Sequence, residues 1–318
     1  DRINRIMFKL GVEVAMMNHL YASGNNCREG YLEELRDYCI QEVAAMSEYD
    51  ILLSICQQDD ITGLERVISN RKVDGVVLLR TFEEDKQIEL PKELKIEIEK
   101  YWKQCKFENS NLWNGELMYV DECKVEGDLI LINCKKSDYA HYLYDERIGL
   151  SKKYACNSLV AGCLLETSDG YYVVGELASD TSFPHCMQIS GGNADKNDIK
   201  DGRIDIFNTI IRECKEELNI DLEDNKIIEY FQLKYMTFPS DSVHTYIIFA
   251  KSKLRMNRVQ MSEYYEQYLK YLKENKLEVE FERIHFIKKD RVQEELKKFK
   301  NPKRNYLVNL LEIDSKEI

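Results

Sequence analysis

The chain has 318 residues, of which 44% are hydrophobic and 32% are charged, and its formal net charge is −12. This length predicts about two domains, and the acidic balance argues against general nucleic-acid binding, which needs a basic face. No apolar run approaches the ~20 residues of a membrane span, and the scattered cysteines lack zinc-type spacing, so we expect reduced thiols in a cytoplasmic protein.

Residues 1–90 have the pattern of a separate, small α/β domain with parallel strands. Helical patterns alternate in it with short apolar runs, at residues 30–46, 51–55, 64–70 and 73–79. Strands that alternate with helices are typical of parallel sheets. The order resembles part of the ligand-binding domain of LacI-type regulators, and a simple docking domain is the alternative. Residues 81–91 are acidic, end in proline and predict a linker to a second domain, residues 91–318.

The second domain begins with one helix and a series of strands. Apolar residues at helical spacing predict the helix over residues 93–104. The predicted strands cover residues 117–134, 158–167 and 171–177. The last two form a hairpin around Asp169-Gly170, a pair that favours a tight turn. A strand-like segment, 186–189, then leads to Ser-Gly-Gly at 190–192, which predicts a flexible turn.

An acidic helix face follows this turn. Apolar residues between positions 206 and 214 indicate a packed helix, which ends at Asn219 because Asn tolerates the left-handed conformation. Glu213, Glu216 and Glu217 are three and four residues apart, so they share one face of the helix, which we call the acidic face. These carboxylates repel one another unless a hard divalent cation lies among them, and Mg²⁺ prefers such oxygen ligands. A solvated charged face is the alternative interpretation.

The same stretch, Arg212-Glu-Cys-Lys-Glu-Glu, resembles the helical half of the Nudix box, which reads Arg-Glu-U-x-Glu-Glu-x-Gly-U with U a bulky apolar residue. Ile220 fits the last position, and Asn219 stands where the family has glycine. This resemblance implies the Nudix fold, an α/β/α sandwich with a mixed sheet.

The loop half of the box departs from the family pattern. The position of its upstream glutamate falls on Ile204, with Asp205 and Asp201 as neighbouring acids. The position of its first glycine falls on Asp198, so the loop after Gly192 is longer than in the family.

A second, shorter resemblance lies upstream. The segment 111–115, Asn-Leu-Trp-Asn-Gly, follows a helix that carries tryptophan. It is similar to the N-terminal extension of a Nudix branch that includes UDP-sugar pyrophosphatases. A hairpin turn is the alternative, because Asn-Gly favours type I′ geometry.

Downstream of the acidic face, the pattern alternates between strands and helices. Strands are predicted at 226–236, 243–251 and 278–286, and helices at 256–273 and 291–298. The first of these helices carries tyrosines whose spacing is more typical of packing than of a ligand platform.

The Nudix resemblance implies a Mg²⁺- or Mn²⁺-dependent hydrolase that cleaves the pyrophosphate of a nucleoside diphosphate linked to another moiety. The implied metal ligands are Glu213, Glu216, Glu217 and the carbonyl of Gly192, and Arg212 would fix a glutamate. The catalytic candidates, the general base among them, are Glu216, Glu217, Glu280 and Glu282. The candidates for contact with the substrate are Phe183, His185, Tyr235 and Phe238, and each has packing or a local hydrogen bond as its alternative.

Besides an interaction protein whose active unit is residues 1–90, two functions stay open at this point. The first is hydrolysis of a small nucleotide, such as a nucleotide sugar, by a protein that forms a homodimer and binds no membrane. The second is a non-catalytic nucleotide sensor, because Ile204 stands where the family has a glutamate.

Overall fold

The computed structural model of the chain describes residues 76–81, 87–126, 129–200, 203–239 and 244–316. The chain divides into two compact units, and the second, Leu78–Glu126 with Ile130–Ile318, contains the features described below. Of residues 1–90, the described part is strand β1 (Val76–Thr81) and residues 87–90. The predicted LacI-like domain therefore lies almost wholly outside the described residues and stays a prediction.

The helices of the described residues are α1 (Lys92–Glu108), α2 (Tyr139–Ile148), α3 (Ile206–Leu218), α4 (Arg258–Glu274), α5 (Val292–Leu296) and α6 (Leu307–Lys316). The longer strands after β1 are β2 (Glu116–Glu126), β3 (Leu129–Asp138), β4 (Ser158–Glu166), β5 (Tyr171–Leu177), β10 (Ile228–Thr237), β11 (Thr245–Leu254) and β12 (Phe281–Lys288). The short strands are β6 (Met187–Gln188), β7 (Ser190–Asn193), β8 (Ile199–Lys200) and β9 (Arg203–Ile204). No helix among these residues is long and apolar enough to cross a bilayer.

A mixed sheet forms the centre of this unit, with a main path of β3-β2-β4-β11-β10. Strands β4 and β11 run parallel along their whole length, whereas β4 is antiparallel to β7. Strand β5 pairs with β4, β6 and β12. Strand β7 thus enters the sheet beside β4, and this pairing brings the Ser-Gly-Gly segment under helix α3.

Helices pack on both faces of the sheet because successive residues of a strand point to opposite sides. In β4, Cys163 faces Cys214 of α3, whereas Leu164 belongs to the core cluster that includes residues of α5 and α6. The predicted α/β/α sandwich with a mixed sheet is confirmed.

Most predicted elements are confirmed, and three details differ. The Ser-Gly-Gly segment is part of strand β7 rather than a flexible turn, since Gly192 pairs with Ala161 of β4. Asn114-Gly115 joins a helix to β2 instead of closing a hairpin, and the side-chain oxygen of Asn114 accepts a hydrogen bond from Ala140 N–H at 2.6 Å. Strand β12 begins at Phe281, later than the predicted strand at 278–286, so Glu282 lies inside it and Glu280 directly precedes it.

Candidate active site

Arg212 organises the acidic face of α3. Its guanidinium donates a hydrogen bond to Glu213 Oε1 at 2.8 Å and, from its other nitrogen, to Asp198 Oδ2 at 3.1 Å. A longer contact of 3.4 Å reaches Glu216 Oε2. Asp198 is fully buried and also accepts a hydrogen bond from the Asn208 side chain at 2.8 Å. Arg212 is therefore held from one side by Asp198, and it fixes the carboxylate of Glu213 on the other.

Glu217 is buried between α3 and β7. Its Oε2 accepts a hydrogen bond from the backbone N–H of Gly191 at 2.9 Å. Its Oε1 is buried and has no hydrogen-bond partner among the described residues. The same holds for Asn193 Oδ1 at the end of β7 and for Arg212 Nε. An unpartnered buried carboxylate oxygen costs free energy, so this position favours a ligand that supplies a positive charge.

Strand β7 passes in close contact with the acidic face. A Cβ atom at Gly192 would lie only 2.4 Å from Glu213 Oε1 and 2.6 Å from its Cδ. A glycine at this position therefore allows the backbone of β7 to approach the carboxylate, a contact that the sequence did not predict.

The positive charge around Glu213 and Glu217 does not offset the effect of burial on their pKa values. Burial raises the pKa of Glu213 to about 8, and Arg212 offsets only part of this effect. Burial, together with the charges of Glu280 and Glu213, also raises the pKa of Glu217 well above its ordinary value. A divalent cation would favour the ionised form of both groups.

Glu280, which directly precedes β12, lies close enough to the acidic face for its charge to act on the carboxylates there. Its charge contributes to the raised pKa of both Glu213 and Glu217. The residue is exposed, but protein packed around its carboxyl group partly desolvates it. This desolvation, followed by the charges of Glu278 and Glu216, raises its pKa above the usual range for a carboxyl group. Glu280 is thus a carboxylate that water reaches, beside the buried ones.

The donor set suits a hard cation such as Mg²⁺ or Mn²⁺, because it consists of carboxylate oxygens around an unpartnered oxygen of Glu217. Glu216 differs from its neighbours, since its side chain is 61% exposed and free to turn toward an ion. Within the part of the chain that the structure describes, the carboxylate oxygens of the acidic face do not form a group in which three ligand atoms all lie within 4.8 Å of one another. Among the described residues, the group whose ligand atoms all lie within 4.8 Å of one another is Glu176, His185 and Glu282.

This second group, which we call the His185 cluster, contains two of the residues predicted from sequence. His185 Nδ1 lies 2.8 Å from Glu282 Oε1 and 3.6 Å from Glu176 Oε1. The structure therefore places Glu282 with His185, while Glu280 is the member of the pair whose charge acts on the acidic face.

The structure does not bring the four predicted substrate contacts together. The Tyr235 hydroxyl donates to Asp314 Oδ1 at 2.8 Å, and its ring packs against the hydrophobic core. Phe238 is 48% exposed and packs edge-on against Tyr246. Phe183 lies under the guanidinium of Arg304, 4.5 Å from its ring centroid.

The described acidic residues near the expected position of the upstream Nudix-box glutamate do not take its place on the acidic face. Asp205 caps the N-terminus of α3, where its side chain accepts a hydrogen bond from Asn208 N–H at 3.1 Å. Ile204 is buried at 4% exposure and offers no ligand, and Asp201 lies outside the described residues. Asp198, which the sequence marked only as the place of a missing glycine, is the acid that contacts Arg212. No spacing rule could identify it, because the contact depends on the 3-10 turn Lys196–Asp198.

The sequence matches no known protein family and no curated protein. Solved structures match about half of it. A protein from Deinococcus radiodurans aligns over 49% of this chain and 82% of its own, with 12% identity and a TM-score of 0.34. An Ap4A hydrolase from C. elegans aligns over 49% of this chain and 95% of its own, with 14% identity and a TM-score of 0.29. A MutT NUDIX hydrolase from Burkholderia pseudomallei covers the same shares with 14% identity and a TM-score of 0.30. Identities and TM-scores this low do not assign a family to the chain.

Proposed function

We propose that the chain is a divalent-metal-dependent hydrolase of the Nudix type, which cleaves a pyrophosphate bond in a nucleoside diphosphate linked to another moiety. One observation carries the proposal. The acidic face of α3 is clamped by Arg212 against a Gly-Gly strand, and Glu217 Oε1 is buried there without a partner among the described residues.

Each side chain has a task in this proposal. Glu213, Glu216 and Glu217 would hold Mg²⁺ or Mn²⁺, which supplies charge neutralisation on the phosphates and a more acidic water. Arg212 keeps Glu213 in one rotamer through the hydrogen bond of 2.8 Å, so the side chain would lose less conformational entropy when a metal binds. Glu280 accepts the proton of the attacking water, because it is exposed to solvent and lies close to the acidic face.

A single substitution tests this function. Glu217→Gln removes a charge and keeps the side-chain shape, and we expect a loss of turnover of at least ~10²-fold, comparable to the removal of one group that stabilises the transition state. The measurement is release of nucleoside monophosphate from a panel of nucleotides, among them nucleotide sugars, with Mg²⁺ and with Mn²⁺. Glu263→Gln, an exposed glutamate on α4, is the matched control and should keep full turnover. Wild-type protein that cleaves no member of the panel would reject the proposal.

The second candidate is a nucleotide sensor without hydrolysis. It is favoured by one observation, the buried Ile204 where the family has a glutamate. A sensor would show a nucleotide-dependent rise in melting temperature that needs no Mg²⁺ and survives Glu217→Gln. Under the hydrolase proposal, turnover and its metal dependence disappear together in this variant.

A further inference from the structure

The His185 cluster is separate from the acidic face and has its own chemistry. It combines one imidazole with two carboxylates, and the ligand atoms lie within 4.8 Å of one another. Around a tetrahedral Zn²⁺ ion with bonds of about 2.0–2.2 Å, neighbouring ligand atoms lie about 3.4 Å apart. The distances from His185 Nδ1 to the two carboxylates, 2.8 and 3.6 Å, bracket this value.

Glu176 is oriented in the way that metal-binding carboxylates usually are. Its Oε1 faces His185, while its Oε2 is 2.7 Å from His285 Nε2 and 3.5 Å from Arg283 Nε. The side chain is only 8% exposed, so it has little freedom to turn away. Oε2 is thus held by partners outside the cluster, whereas Oε1 faces His185 within it.

The three ligands come from three segments that the sheet brings together. Glu176 lies in β5 and Glu282 in β12, which pair side by side with Arg283 opposite Glu176. His185 precedes β6 and has a positive φ of 59°, which is uncommon for a residue other than glycine. Its carbonyl accepts a hydrogen bond from the Asn301 side chain at 3.1 Å, which holds this turn in place.

We propose that Glu176, His185 and Glu282 form a site for a divalent transition metal of the Zn²⁺ class, with at least one position left for water. The imidazole nitrogen selects against Mg²⁺, which prefers oxygen ligands alone, and favours Zn²⁺, Co²⁺ or Ni²⁺. Three protein ligands with an open position are the arrangement of a zinc ion that binds water or an external ligand. This inference does not depend on hydrolysis at the acidic face.

The test is a titration of the metal-free, full-length protein with Zn²⁺ alone, followed by calorimetry, and with Co²⁺, followed by visible absorption. The wild-type protein should bind Zn²⁺ at the site, and Co²⁺ there should show the weak bands of nitrogen and oxygen ligands without thiolate charge transfer. His185→Gln and Glu282→Gln should each weaken this binding by more than the ~10–100-fold that loss of an outer partner costs.

His244→Gln is the matched control. His244 Nδ1 also lies 2.9 Å from a carboxylate, that of Asp145, but this pair is not part of a three-ligand group among the described residues. Circular dichroism checks that each variant is folded. The proposal is overturned if wild-type protein takes up no Zn²⁺ at micromolar concentration. It is also overturned if folded His185→Gln and Glu282→Gln bind Zn²⁺ as tightly as His244→Gln does.

Discussion

At the scale of single residues, the acidic face depends on close contact between a backbone and a carboxylate. Glu213 is fixed by Arg212 on one side and by the backbone of Gly192 on the other. Neither contact leaves room for adjustment, because the atoms involved belong to a strand and to a buried ion pair with Asp198. The position of Glu213, and with it the geometry of the proposed metal site, is therefore sensitive to one methyl group.

Gly192→Ala tests this dependence. The added Cβ would lie 2.4 Å from Glu213 Oε1, so the carboxylate must move, and we expect turnover to fall by about 10²-fold, as for a 1 Å displacement in an active site. The measurement is kcat and the Mg²⁺ concentration that gives half-maximal rate, with the fold checked by circular dichroism.

Gly170→Ala is the control for this substitution. Gly170 has a φ of 81° in the β4–β5 turn and nothing within 4 Å of the added Cβ, so the change strains the backbone without touching the acidic face. Its melting temperature should fall while kcat is unchanged. An unaltered kcat in Gly192→Ala would show that Glu213 tolerates displacement.

At the scale of elements, helix α4 anchors the end of α3 that carries the acidic face. The Tyr268 hydroxyl donates to the backbone carbonyl of Glu216 at 2.7 Å. The Tyr264 hydroxyl donates to the carbonyl of Asn219 at 2.8 Å and accepts from its side-chain amide at 2.9 Å. Asn219 has a φ of 55° and ends the helix in the left-handed conformation. The tyrosine stripe is therefore packing and capping, as its spacing indicated, and it provides partners for the last carbonyls of α3.

Tyr264→Phe should lower the free energy of unfolding by roughly 1–3 kcal/mol, because it leaves two partly buried groups of Asn219 without their partner. Urea denaturation measures the change, and the dependence of the unfolding free energy on urea concentration should be the same for both proteins. Tyr271→Phe is the matched control, since Tyr271 is 54% exposed, and it should unfold at the wild-type midpoint. Equal midpoints for all three proteins would contradict the anchoring role.

At the scale of the whole second unit, a buried charge network connects helix α6 to the sheet. Asp314 of α6 is fully buried and accepts hydrogen bonds from Lys251 of β11 and Tyr172 of β5, both at 2.6 Å. Tyr235 of β10 donates to its other oxygen at 2.8 Å. Burial opposes ionisation, but these hydrogen bonds lower the pKa of Asp314 to about 2. One carboxylate thus ties four elements together.

Asp314→Asn should lower the free energy of unfolding at neutral pH by roughly 3 kcal/mol, because it leaves Lys251 buried with less negative charge around it. The folded-state pKa lies below the ordinary value of 3.8, so this stabilisation is present above pH 3.8 and is lost as the pH falls toward about 2. Urea denaturation of both proteins over this range measures the difference, which should shrink as the pH falls.

Asp290→Asn is the control for the network. Asp290 forms an exposed pair with Lys288 at 3.3 Å, with 62% of its side chain exposed, and the substitution should change stability by less than about 1 kcal/mol. A difference between Asp314→Asn and the wild type that stays constant down to the lowest pH would contradict the proposed ionisation.

Two helices of this unit were not predicted, and the reasons differ. Helix α2 buries residues around most of its circumference, among them His141 and Asp145, so no apolar stripe marks it in the sequence. Helix α6 does have such a stripe, at Leu307, Leu310, Leu311 and Asp314, but its last member is charged. Asp314 can be buried in this stripe because Lys251, Tyr172 and Tyr235, which are distant in the sequence, supply its hydrogen bonds.

The sequence by itself determined the acidic face, because three- and four-residue spacing on a helix is a local property that the stripe of α3 and the stop at Asn219 fix together. It also determined the mixed α/β class, through the order of strands and helices. Only the tertiary structure decided what surrounds that face. The contacts of Arg212 with Asp198, the approach of Gly192 to Glu213 and the separation of Glu280 from Glu282 depend on strand pairing and on a turn. Such contacts join residues that are distant along the chain, and local spacing carries no information about them.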